Sequence, residues 1–274
     1  MTRRLLLIMA LFVALSISIP VMAAASSTPE AGSPASITIV TQVNKVFATL
    51  VSRIHHKDPR LVDLFTDSGK TAIFGVVDND QIVNKFFNNE ALYKNLVMTT
   101  YDVSDVRVQA NGSITALVSY TGLQVPLSNF YVTSQFTLTK SGKSLLIDGQ
   151  KISASLSFPK GKSVRKIKLK ITNDEYSTTA SVKTGDFYEI QIQDNSSAKQ
   201  EIFLIYRLPD GTTYDAALAA GQPLNDIDRV IGYPVAPGEL DLAFVGLTKG
   251  DYIVVDSALG ANWSSGRTAH FIIK

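Results

Sequence analysis

Apolar residues at Ile39, Val43, Val46, Phe47, Leu50 and Ile54 recur every three or four positions. That is the period of a helix with one buried face, and it predicts an amphipathic helix over 37–56. Asp58-Pro59 ends it, because a residue before proline is pushed out of the helical region. Leu61, Leu64 and Phe65 predict a short second helix or turn, and 70–77 reads as a strand. Asp78 followed by Gln81 has the form of a capping box. It would open a helix over 79–96 whose apolar positions are Ile82, Val83, Phe86, Phe87 and Leu92. Period-two patterns then predict strands at 97–108, 113–120, 130–139 and 144–156. Asn111-Gly112 and Ser141-Gly142 supply hairpin turns between them.

The stretch Phe158–Ile171 divides the chain. Pro159 and Gly161 interrupt regular structure. Ile167, Leu169 and Ile171 then alternate with Lys166, Lys168 and Lys170, which predicts a strand with one buried face. Its lysines have two readings: a patch for nucleic acid or anionic lipid, or an edge strand whose outward charges discourage sheet-to-sheet pairing. The second fits a net charge of only +2. Further strands are predicted at 187–193, 201–207, 240–245, 251–256 and 268–273, separated by Gly, Pro, Asp and Asn clusters. Short strands at this spacing indicate a β-sandwich. The segment 215–231 breaks the rhythm and reads as a crossover with a helical turn at 216–220.

A chain of 274 residues that is 45% hydrophobic and 18% charged holds enough apolar material for two cores. Cysteine is absent, which removes disulfides, thiol nucleophiles, thiolate metal sites and lipoprotein anchoring. At the start, Arg3 and Arg4 precede an apolar run from Leu5 to about Ala25. Ala23 and Ala25 stand where a signal peptidase reads small residues, so cleavage is expected before Ser26. Retention of this run as a membrane anchor is the rival reading. Either way the folded part is expected outside the cytoplasmic membrane. The expected organisation is a signal peptide at 1–25, a spacer at 26–36, an α+β domain at 37–158, a linker at 159–163 and an all-β sandwich at 164–274.

Helix, short helix, strand, helix and a long antiparallel meander is an order that resembles the nuclear-transport-factor-2-like superfamily, which includes polyketide-cyclase-like and ketosteroid-isomerase-like proteins. Asp63-Leu-Phe-Thr-Asp67, Asp80-Gln-Ile-Val-Asn-Lys-Phe-Phe87 and Leu145-Leu-Ile-Asp-Gly-Gln-Lys-Ile152 carry the likeness. The resemblance implies a cone-shaped domain in which a curved sheet wraps a helix around a pocket. It also implies, for enzymatic members, an Asp or His base in the cone with a Tyr as oxyanion donor. The corresponding candidates are Asp63, Asp67, Asp102 and Asp148, with Tyr101 and Tyr120. Burying an unpaired carboxylate is costly, so each aspartate is more simply a turn or surface residue. Dimerisation through the open sheet face is a further implication.

In the second half, Ala236-Pro-Gly-Glu239, Leu247-Thr-Lys-Gly-Asp-Tyr-Ile-Val-Val255 and the last strand resemble immunoglobulin-like domains of exported microbial proteins. They also resemble the cupredoxin fold. A blue-copper site needs His, Cys, His and usually Met. Asp256 stands where Cys would be, Gly260-Ala-Asn-Trp263 where the second His would be, and Arg267 where Met would be. A cupredoxin-like domain here is therefore expected to be metal-free, and an immunoglobulin-like sandwich is preferred.

Other motifs fail on spacing. Ser68-Gly-Lys-Thr71 and Ser141-Gly-Lys-Ser144 end like a P-loop but lack its leading glycine. Asp78-Asn-Asp80 lacks the later ligands of a calcium loop. Adjacent His55 and His56 point about 100° apart on a helix and cannot chelate together. Asn111, Asn195 and Asn262 match the short glycosylation pattern. No metal or cofactor is expected. The expected function is a non-catalytic binding or structural protein whose cone holds a small apolar ligand or partner and whose sandwich is a spacer or adhesion module. Alternatives are an isomerase- or cyclase-type enzyme, and an adhesin whose exposed Tyr233 and Trp263 anchor carbohydrate or protein. A nucleic-acid partner is not expected, and a homodimer is allowed for.

Overall fold

The Ser36 side chain accepts from the Ile39 amide and starts α1, Ile37–His55. Val43, Phe47, Leu50 and Ile54 are wholly buried on one face, as the helical period required. Asp58 then caps a 3-10 helix, Pro59–Leu64. Its hydrogen bonds to Arg60 hold the Asp58 carboxyl at about 2. These coordinates are a computed structural model, which describes residues 32–123, 129–153, 155–198, 201–220, 229–256 and 267–274. They belong to one compact unit, Gly32–Lys274. The leader and most of the spacer lie outside the described residues.

The strand expected at 70–77 is a helix, α2, Asp67–Phe74. Thr66 accepts from the Gly69 amide at 3.1 Å, and Gly75 closes the helix at φ 73°. These two caps outweigh the strand propensity between them. A Cβ on Gly69 would lie 2.1 Å from the Ile147 carbonyl, so only glycine lets α2 rest directly on the sheet. The helix expected over 79–96 is two helices, α3, Asn79–Phe87, and α4, Glu90–Leu96. Asp78 caps the first, accepting from Gln81 N at 2.7 Å. Asn89 caps the second, accepting from Leu92 N at 3.1 Å.

The strands of the first half are β1, Ser33–Pro34; β2, Tyr101–Val108; β3, Ile114–Thr121; β4, Phe130–Ser141; and β5, Ser144–Ile152. They pair antiparallel in chain order. Two bulges bend the sheet around the helices. One falls between Ser104 and Arg107, where Asp105 has φ 42°. The other places Asp148 as an extra residue opposite Thr137 and Leu138.

The second half contains β6, Val164–Ile171; β7, Tyr176–Thr178; β8, Ser181–Val182; β9, Phe187–Asp194; and β10, Glu201–Arg207. After these come α5, Tyr214–Ala220; β11, Arg229–Val235; β12, Gly238–Val245; β13, Gly250–Asp256; and β14, Thr268–Ile273. Strands β7, β8 and β11 were not expected. The segment read as a crossover contains α5 and the start of β11. Among the described residues the strands form two sheets. One is nine-stranded, ordered β1-β2-β3-β4-β12-β9-β6-β7, with β5 beside β4. The other is five-stranded, ordered β11-β10-β13-β14-β8. The second half is a β-sandwich: Ile190, Ile192 and Leu242 of the first sheet share a core with Phe203, Tyr252 and Phe271 of the second. Strand β6 is an edge over part of its length only, since β7 covers no more than its last three residues on the side away from β9. It pairs parallel with β9 along its whole length and antiparallel with β7 over Leu169–Ile171.

The expected linker falls between β5 and β6, and the nine-stranded sheet nonetheless runs across that division. One side of β4 is shared end to end. Ser134–Ser141 take β5, and Phe130 and Tyr131 take Phe244 and Ala243 of β12. The Phe130 and Phe244 rings meet edge to face at 4.6 Å. The strand expected to run to 156 stops at Ile152. The chain then folds across the sheet's outer face: Ser157 N donates to Thr133 Oγ1, and Phe158 stacks on Tyr131 at 5.7 Å.

Candidate functional site

The region beneath the helices is where the first-half resemblance expects a pocket. Phe47 and Phe136 meet there at 5.0 Å, Tyr120 and Phe136 at 5.8 Å, and Phe74 lies between Phe65 and Phe86. Tyr120, Phe47 and Phe136 have no exposed surface. The polar atoms among them belong to one small group. The Tyr120 hydroxyl lies 3.0 Å from Ser134 Oγ, and Gln150 Nε2 donates to Tyr120 and to Ser134 Oγ. Burial pushes the Tyr120 phenol up to about 12, against the lowering effect of Ser134 and Gln150. A phenol held neutral in this way can donate a hydrogen bond but cannot act as a base near neutral pH.

None of the four candidate aspartates is among the hydrogen-bond partners of Tyr120. Asp63 is exposed. Asp67 is exposed and pairs with Lys70 at 3.2 Å. Asp148, swung out by its bulge, accepts from Thr66 Oγ1 at 2.6 Å and so steadies the α2 cap. Asp102 lies opposite Ser119 on the outward side of β2. Tyr101 is half-buried opposite Tyr120. Gln150 and Ser134 escaped the sequence reading. Their signal lay in strand register, since both fall on the inward phase of β5 and β4.

Of the proposed adhesive aromatics, Tyr233 sits within β11 opposite Phe203, not in a loop. Trp263 and Asn262 lie outside the described residues. The histidines have structural partners. His55 Nε2 is 3.1 Å from Met98 O, His56 Nδ1 2.8 Å from Ser52 O, and His270 Nε2 2.8 Å from Asp251 Oδ1.

A second polar cluster closes one end of the sandwich. Arg267 Nε donates to Asp256 at 3.1 Å and Nη1 to Thr172 O at 2.7 Å, while the guanidinium lies 5.0 Å from the Tyr176 ring centre. Asp256 stands where a copper thiolate was tested for, and its carboxylate is engaged by this guanidinium. A carboxylate and a guanidinium do not make a copper centre. Among the described residues no three His, Cys, Asp or Glu side chains gather as a metal site, and no helix is long and apolar enough to cross a membrane.

No family model matches the chain, and no curated protein matches it. Solved structures with a partial likeness include reduced auracyanin from Roseiflexus castenholzii. It is 16% identical, and the match covers 40% of this chain and 96% of that one at a TM-score of 0.29. Aln2 from a Streptomyces species is 15% identical over 44% of this chain and 93% of its own, at 0.32. Reduced rusticyanin is 16% identical over 40% and 79%, at 0.31. Likenesses this slight assign neither a function nor a metal.

Proposed function

We propose that this chain is an exported, non-catalytic protein that works through its surfaces, with the helix-covered half a cone of the nuclear-transport-factor-2-like type and the sandwich a spacer or adhesion module. The observation that supports this reading is the aromatic filling around Tyr120, which leaves its hydroxyl bonded to Ser134 and Gln150 and to no carboxylate. The leader with Ala23 and Ala25 before Ser26 supports export. The finer reading of the second half is a sandwich of either the immunoglobulin-like or the metal-free cupredoxin-like kind.

The competing isomerase-type reading needs a base beside the buried phenol. Deuterium exchange next to the carbonyl of a panel of small and steroid-sized ketones separates the two. The expected result is no exchange above buffer. Catalysed exchange that is abolished by Tyr120→Phe would overturn the non-catalytic reading. Mass analysis of the protein recovered outside the expressing cell is expected to place its first residue at Ser26.

A further inference from the structure

Three columns of side chains cover the outer face of β6, β9 and β12. Their registers place Lys166, Glu189 and Ala243 in one row, Lys168, Gln191 and Asp241 in the next, and Lys170, Gln193 and Glu239 in the third. All point away from the core, because Ile167, Leu169, Ile190 and Leu242 occupy the opposite phase of the same strands. The face is thus positive along β6 and negative along β12, while the β9 column carries one acid, Glu189, above the two neutral glutamines. Two strand spacings, about 10 Å, separate the lysine column from the acidic one. Lys168, Lys170, Gln193, Asp241 and Glu239 are exposed.

The first row is satisfied within the chain. Glu189 is 8% exposed, lies 3.5 Å from Lys166 and accepts from Gln191 Nε2 at 3.0 Å. The other two rows are not. Among the described residues neither Lys168 nor Lys170 has an ion-pair partner, and neither do Asp241 and Glu239. The Asp241 carboxyl is held above its ordinary value by partial burial and then by Glu189, against the lowering effect of Lys166. The acidic column forms no ion pair of its own among the described residues, while two lysines stand unpaired across β9.

We infer that this face pairs with the same face of a second copy of the chain, about a two-fold axis that lies in the interface and runs along β9. Such an axis exchanges the outer columns and keeps the rows. Lys168 of one copy then faces Asp241 of the other, and Lys170 faces Glu239, each pair occurring twice. Gln191 and Gln193 meet their own counterparts at the axis, where two amides can each donate and accept. Closed two-fold pairing of one patch on itself is the commonest oligomer symmetry. Charge complementarity fixes its register. The pairing uses strands of the second half only, so it is independent of whether the cone is catalytic.

Sedimentation of the purified protein at rising concentration tests the pairing. A dimer is expected at low salt, with a dissociation constant that rises about tenfold or more as salt is added. Lys168→Glu with Lys170→Glu, and Glu239→Lys with Asp241→Lys, should each be monomeric. Mixed in equal amounts, the two variants should regain a dimer containing one of each. Because the chain has no cysteine, Gln191→Cys adds a unique thiol beside the axis. A short bis-maleimide should link it to its counterpart, and should not link Lys143→Cys, which is exposed in the β4–β5 hairpin. The thiol pair also decides the matter if a charge-reversed variant folds poorly. A wild type that stays monomeric at low salt overturns the inference. So does a dimer indifferent to both reversals, or one with no link through residue 191.

Discussion

Beneath the first half of the nine-stranded sheet lie helices; beneath the second half lies another sheet. Both halves spend their inner faces on packing. In the first, Phe47, Phe136 and Tyr120 fill the space under α1. In the second, Tyr252 and Phe271 stack at 5.0 Å within the sandwich. The halves differ on the outside. Near β4 the outer face is covered by the chain that joins them, with Tyr131, Phe158 and Phe187 in contact. Along β6, β9 and β12 it is open and charged. Exposed charged groups thus lie on the outer face of the second half, whereas the buried polar groups around Tyr120 in the first are bonded to one another.

The largest expected effect comes from emptying either core. Phe136→Ala beneath the helices and Phe244→Ala at the seam should each cost about 3–5 kcal/mol, read from urea unfolding. Because β4 pairs with β12, circular dichroism should follow one transition in both variants. Two separated transitions after Phe244→Ala would show that the halves fold independently. Gly122→Ala comes next. Gly122 has φ 80°, and a Cβ there would lie 2.0 Å from the Val97 carbonyl, so a loss on the order of 3 kcal/mol is expected.

Alkali probes the first interior more gently, through Tyr120. The folded Tyr120 phenol stays neutral up to about 12, whereas an unfolded tyrosine ionises near 10. Its contribution is fully present below pH 10 and is lost as pH rises through 12. The loss is on the order of 2 kcal/mol, and Tyr120→Phe should flatten that limb of the stability curve. Tyr131→Phe keeps the ring at the seam but removes its hydrogen bond to Ser157 O, for about 1 kcal/mol.

The smallest expected effect is at the entry to β6. Asp186 is held at about 2 by hydrogen bonds from the Ser163 backbone and side chain, and from Lys162. Its contribution is present above about pH 4 and fades as pH falls through 2. Asp186→Asn should therefore lower the melting temperature slightly at neutral pH and not at pH 2. A difference that persists in acid would assign the effect to hydrogen-bond geometry and not to charge.

Elements whose signals are local were readable in the amino-acid order. Helix α1 and the cap Asp78 depend on neighbours within four residues; the cap Asn89 is equally local but was passed over when 79–96 was read as one helix. The strands from β2 to β5 and most of those in the second half follow from period-two alternation. The misreading at 70–77 came from weighing apolar content above the caps Thr66 and Gly75, which were also local. Other features joined residues far apart in the chain. Parallel pairing of β6 with β9, the seam between β4 and β12, and the engagement of Tyr120 by Ser134 and Gln150 depend on long-range register. The lysines of β6 were visible from the start, but their acidic counterparts lie some seventy residues later and come into line only through β9. Alternation determined the buried face of strands such as β6 and β14, but not of β4, β9 and β13, which bury consecutive residues. Which strands became neighbours, and hence which charges share a row, was decided by the packing of two sheets and a layer of helices, an energy that no short stretch of sequence carries alone.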